Sequence, residues 1–250
     1  MSIIRHEPAA VTATLFLTGG QRIDAHRHDE HQIVYAGTGV LSVTTEAGVW
    51  MAPADRAIWV PAGGIHAHRA YGTSTLHTVG IPLSARRIPS ARPAVLVVSA
   101  LLRELLIAYT AVPRPERSSR RRMQAVLLDQ LQLAPEMPLH LPAPRDGRLQ
   151  QVAALLDREP AATHSVTQLA GLVNVSPRTL SRLCRDELGM TFPQWRTQMR
   201  LHHALQLLAT GRSVSAVAID CGWATASAFI DVYRRQFGDT PGTRRHRPAH

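Results

Sequence analysis

The chain has 250 residues, an apolar share of 45% and a formal net charge of +10. These values exclude a disordered or fibrous protein and point to two modest domains with a polyanionic partner. Two cysteines, Cys184 and Cys221, exclude a disulfide framework and suit a reducing cytoplasm.

The charge is unevenly placed. Residues 1–85 carry five Arg against six acids, residues 86–143 nine against four, and residues 144–250 fourteen against eight. The basic surface therefore lies beyond the first third of the chain. The opening stretch, MSIIRHEPAA, has no apolar core of the kind a signal peptide needs. Alternating, β-branched or aromatic segments come next, at Thr12–Leu17, His31–Tyr35, Val40–Thr45, Ala57–Val60 and Thr75–Ile81. Glycine-rich turns separate them, which predicts a small barrel or sandwich of short strands.

From about Pro93 the period becomes helical, with Val95, Leu96, Leu102, Leu105, Leu106 and Tyr109 at three- and four-residue spacings. The run Ala94–Val112 is long enough to span a bilayer. Arg103 and Glu104 at its middle favour a buried or interface helix instead, and no membrane partner is expected. After a break at Pro113–Pro115, Ser118–Leu133 is predicted as a second helix. Pro135, Pro138, Pro142 and Pro144 then mark a linker. The predicted organisation is a β-strand domain at 1–83, a helical connector and linker at 84–144, and an all-helical domain at 145–250.

Within the last segment one pattern occurs twice, about fifty residues apart. Ser165 with Gln168 forms a capping box at the start of the first copy. Ala170 and Ala218 are small where two helices cross. Four residues on stand Asn174 and Gly222, types that tolerate a left-handed turn. Ser176 and Pro177 open the next helix, whose buried face is supplied by Leu180 and Leu183, and by Phe229 and Tyr233 in the second copy. Each copy is a helix-turn-helix unit, and Phe192–Ala209 is an amphipathic helix that could hold the two apart. Two capped copies in the basic part of the chain point to double-stranded DNA.

The doubled unit, its connecting helix and the ending Cys221-Gly222-Trp223, Phe229, Tyr233 and Phe237-Gly238 resemble the AraC/XylS transcription regulators over about a hundred residues. The resemblance implies that the exposed sides of both recognition helices read bases: Arg178, Thr179 and Arg182 in the first, Thr225, Ser227, Ala228 and Asp231 in the second. Arg178 and Arg182 share a helix face and could each grip a guanine edge. A carboxylate at Asp231 repels phosphate, so the first unit is expected to dominate specificity. Arg196, Arg200, Arg234, Arg235, Arg244 and Arg245 are assigned to phosphates or surface ion pairs, and His202-His203 to the surface or the neighbourhood of the DNA backbone. The resemblance also implies dimerisation through the sensor and its helix pair, and the apolar run Pro93–Ala108 suits a homodimer surface.

Seven of the thirteen histidines lie in residues 1–85. His26-x-His28, Gln32 and Gly39, together with Pro61-x-Gly63-x-x-His66, resemble the two cupin motifs. On a strand His26 and His28 face one side, and His66 from a strand across the barrel could complete a site for Zn, Fe, Ni or Mn. Gln32 stands where metal cupins have Glu. Two readings stand: a metal-occupied site, or a vestigial site whose histidines bind an organic effector or merely hydrogen-bond. His31, His68 and His77 are alternates.

The expected protein is thus α+β and multidomain: a cupin-like barrel, a helical connector and a double helix-turn-helix domain. Its expected function is transcription regulation, with promoter DNA, a small-molecule or metal effector, a second copy and RNA polymerase as partners. The competing reading is a metal-dependent cupin enzyme, a dioxygenase or isomerase. It lacks the usual carboxylate, and its only catalytic groups would be the ligands themselves.

Overall fold

The computed structural model describes residues 4–85, 88–111 and 116–242, in two compact units divided between His140 and Leu141. The Pro113–Pro115 break, Arg244 and Arg245 lie outside the described residues.

The first unit opens with nine strands: β1 (Arg5–Glu7), β2 (Ala13–Leu17), β3 (Arg22–His28), β4 (His31–Ala36), β5 (Val40–Thr45), β6 (Gly48–Pro53), β7 (Arg56–Val60), β8 (His66–Tyr71) and β9 (Ser74–Ile81). Strand β10 (Ala94–Val97), helices α1 (Ala100–Thr110) and α2 (Arg117–Leu133), and short strands β11 (Glu136–Met137) and β12 (His140–Pro142) come after them. One sheet runs β1-β3-β8-β5-β6 and ends on β12, the strand at which the unit ends; the other runs β11-β10-β7-β4-β9-β2.

The second sheet is covered on one face by the two helices. Ile33, Tyr35, Ala57, Trp59, Val79 and Ile81 pack with Leu102, Leu106, Tyr109, Leu127 and Leu131. Strand alternation then turns Gln32 and Val34 to the opposite face, toward the barrel interior. This is why every residue of β4 is buried.

Two expectations change here. Val95 and Leu96 lie on a strand, β10, paired with β7 and β11, rather than on a helix. A four-residue apolar run gives no periodicity with which to tell the two apart. Second, the segment 84–144 is no separate connector as far as His140, because its helices share one core with the barrel. The apolar run Pro93–Ala108 is therefore largely satisfied within the chain. Among the described residues no helix is long and apolar enough to cross a membrane.

The second unit contains α3 (Gly147–Arg158), α4 (Val166–Leu172), α5 (Pro177–Leu188), α6 (Phe192–Ala209), α7 (Val214–Asp220) and α8 (Ala226–Phe237). The Ser165–Gln168 capping box is formed, and a second one, Thr191 with Gln194, starts α6. Ser176 accepts from Thr179 N–H at 3.1 Å with Pro177 in the first turn. Leu149, Val152 and Leu156 of α3 join Leu169, Ala170, Leu180, Cys184 and Trp195 in one core. The second copy buries Val217, Ala218, Cys221, Phe229, Tyr233 and Phe237.

The predicted left-handed turns are both present: Asn174 has φ 54° and Gly222 φ 78°. Gly222 is further confined, since a Cβ there would stand 2.7 Å from Ala161 Cα and 2.9 Å from its carbonyl oxygen. Gly189, at φ 68°, has open space in the same direction. Gly222→Ala should therefore lower the unfolding free energy of this unit by about 2–4 kcal/mol, from backbone strain plus overpacking. Gly189→Ala carries the strain alone, about 1 kcal/mol. Urea denaturation monitored by helical circular dichroism compares them, and equal losses would show that Ala161 does not constrain the turn.

Candidate functional sites: the recognition helices and the histidine cluster

The two turns decide what each succeeding helix can present. In α5, Leu180, Cys184 and Leu188 are buried and the opposite side carries Arg178 and Arg182, both exposed. Thr179 is half-buried, its hydroxyl 2.9 Å from Ser176 Oγ. In α8, Phe229, Tyr233 and Phe237 are buried, while Ser227, Ala228, Asp231 and Arg234 are exposed. Thr225 serves as the N-cap, accepting from Ala228 N–H at 3.1 Å. The two outward faces thus differ in charge as well as sequence. That of α5 carries two guanidinium groups at the end nearest its turn, whereas α8 offers small side chains and a carboxylate there.

Arg196 and Arg200, expected on phosphates or in surface ion pairs, are turned inward. Arg200 donates to the carbonyls of Pro160 and Ala162 at 3.0 and 3.2 Å, and Arg196 donates to the His164 carbonyl. Burial lowers the pKa of both groups. A half-buried guanidinium needs such acceptors, and the loop of residues 160–164 supplies them. His202, expected at the surface, is buried on the inner side of α6. Sequence alone hides these roles because α6 is polar on more than one face. Cys184 and Cys221 are fully buried, and burial pushes their thiols up to about 11 and about 12. Such thiols are protonated and unreactive at neutral pH.

In the barrel, His26, His28 and His66 are all buried and their rings converge, although His66 comes from the strand next to β3 rather than from one across the barrel. Centroid separations are 4.4 Å for His26–His66, 4.8 Å for His28–His66 and 5.9 Å for His26–His28. His68 joins them, 5.0 Å from His66 and 5.6 Å from His26. His31 and His77 do not. His31 stacks on Trp59 and accepts from Ala62 N–H, while His77 bonds Thr110 Oγ1 at 2.8 Å and stacks on Tyr35.

Each motif histidine ties its Nδ1 to a main-chain carbonyl two residues away: His26 to Asp24, His28 to Glu30 and His66 to Gly64. Donation from Nδ1–H leaves Nε2 as a bare lone pair, the tautomer a metal requires. His66 Nε2 is buried with no partner, and the buried His28 Nε2 and Gln32 Oε1 have none but each other. Desolvation is the largest cause that lowers the pKa of His28, His66 (to about 4) and His68, so these rings are neutral near pH 7. Orphaned, deprotonated nitrogens facing one another fit a divalent cation.

Comparison with known proteins agrees with both halves. Residues 18–131 match the AraC-like ligand binding domain, and residues 169–247 match a helix-turn-helix domain. The chain is 33% identical over 242 residues to the HTH-type transcriptional regulator NimR of Escherichia coli, covering 95% of this chain and 88% of NimR. It is 40% identical over 103 residues to RipA of Corynebacterium glutamicum, covering 41% of this chain and 30% of RipA. Among solved structures, the DNA-binding domain of AdpA in complex with a target DNA is similar at 32% identity and TM-score 0.38, over 39% of this chain and 89% of that one. ToxT of Vibrio cholerae is similar at 9% identity and TM-score 0.40, over 94% and 97%. The sequence matches, which run nearly end to end in NimR, carry the assignment: this chain belongs to the AraC family of DNA-binding transcription regulators with an N-terminal ligand-binding domain.

Proposed function

We propose that this regulator reads promoter DNA mainly through α5, with Arg178 and Arg182 on guanine edges and Thr179 beside them. The observation that carries this is the pair of exposed guanidinium groups one helical turn apart, immediately after a left-handed turn. The face of α8 formed by Thr225, Ser227, Ala228 and Asp231 enters a second groove and contributes less, with Arg234 on the backbone. The barrel holds a divalent metal ion of the Zn, Fe, Ni or Mn group through His26, His28 and His66, with Gln32 beside them. That ion is the effector. The protein acts as a homodimer in the cytoplasm and communicates with RNA polymerase rather than catalysing a reaction.

Support for the dimer comes from residues the fold leaves uncovered. Leu101 on α1 and Val126 and Leu133 on α2 are exposed, Leu133 at 75%.

Arg182→Ala should weaken binding to duplexes selected from a random pool by about 1–3 kcal/mol and relax preference at one position, read by fluorescence anisotropy. An equal loss on unselected DNA would reduce Arg182 to a phosphate contact. Untagged protein should contain one metal ion per chain, lost in both His26→Ala and His66→Ala. If reconstituted wild type holds none by elemental analysis, the histidines line an organic-effector pocket. Light scattering at micromolar concentration should give twice the chain mass, and Leu133→Glu should halve it; a monomeric wild type would remove the dimer.

A further inference from the structure

Two His-x-His pairs on adjacent antiparallel strands meet at one register position, with His28 and His68 extending to opposite sides of it. His26 and His28 are the inward residues at the end of β3, and His66 and His68 are inward on β8, whose side chains alternate buried and half-buried throughout. His26 is directly opposite His66 in the register, and a bulge lies between Ile23 and His26. One potential ligand atom from each of His26, His66 and His68 lies within 4.8 Å of the others. His28 stands outside that group, its ring centroid 4.8 Å from His66 and 5.9 Å from His26. Tetrahedral coordination with metal–nitrogen bonds of about 2.0–2.1 Å needs nitrogens about 3.4 Å apart, so the four rings must draw inward to share one ion.

His68 is not a member of either cupin motif, and its ring packs against the motif rings of His26 and His66. It is 3% exposed, and its Nδ1 has no hydrogen-bond partner, in a barrel where a polar side chain costs stability unless its nitrogens are used. Gln32 differs from it in kind. It comes from the facing sheet, and an amide oxygen is a weaker donor toward a borderline divalent ion than an imidazole.

We infer that the ion is held by four imidazoles, His26, His28, His66 and His68, with Gln32 alongside but outside the coordination sphere. This rests on the metal reading of the barrel and narrows it. An all-nitrogen set of four neutral donors selects a zinc-class ion and disfavours Mn(II), which prefers oxygen. Four protein ligands also fill a tetrahedral ion, leaving no open position for a substrate or organic effector. The ion itself is then what the barrel senses.

The test uses full-length protein stripped with chelator and titrated with Zn(II) or Co(II) against a chromophoric competitor. Wild type should bind one equivalent and give the intense visible absorption of four-coordinate Co(II). His68→Gln should weaken Zn(II) binding by at least about 100-fold and abolish that absorption, as a lost ligand does, whereas Gln32→Ala should change affinity by less than about tenfold, as a neighbour does. Thermal melting of the metal-free variants checks that the barrel is folded. Should His68→Gln not fold, the wild-type spectrum decides: weak five- or six-coordinate bands overturn the four-imidazole set. Unchanged binding by His68→Gln, with loss in Gln32→Ala, overturns it too but leaves the metal reading standing. No binding of either ion by wild type removes both.

Discussion

The two-residue period of a β-strand governs the first unit. A pleated strand shows alternate side chains to opposite faces, so a strand covered on both sides must satisfy two environments at once. In β4 the odd positions, Ile33 and Tyr35, seat the helix pair, and Gln32 faces the barrel interior. The same alternation brings four imidazoles inward from β3 and β8. A shift of one residue in either strand would put those rings in water and charged or small neighbours in the barrel.

The histidines satisfy a second constraint within their own loops. A buried imidazole must stay neutral and must place a proton on one nitrogen only. The carbonyls of Asp24, Glu30 and Gly64 fix that choice from two residues away, so the tautomer is set by local chain geometry rather than by distant partners. Such an arrangement needs no change of tautomer when a cation arrives.

The features legible in the sequence are those that repeat with a fixed period or need a special backbone. The capped helices, the left-handed positions Asn174 and Gly222, and the bounds of Phe192–Ala209 all come from local chemistry. The motif histidines are marked by their spacing, and they do converge. His68 is legible only as an alternate, although the dipeptide period that marks His26 and His28 recurs at His66 and His68. The strand at Ala94–Val97 and the shared core of α1, α2 and the second sheet are not legible, because long-range pairing leaves no periodic trace in a short apolar run. Arg196 and Arg200 mislead for a related reason: a basic side chain looks the same in sequence whether its partner is a phosphate or a carbonyl of its own chain.

That internal use of Arg200 bears on how the two reading heads are spaced. Its guanidinium binds the loop that precedes the first helix-turn-helix unit and lies against Gly222, the pivot of the second. Both heads are therefore fastened to α6 at points on the same rigid rod, rather than strung on a flexible tether. With both units on DNA, as proposed above, that anchoring would set the distance between them, and a site with altered half-element spacing would be accommodated by distorting the duplex.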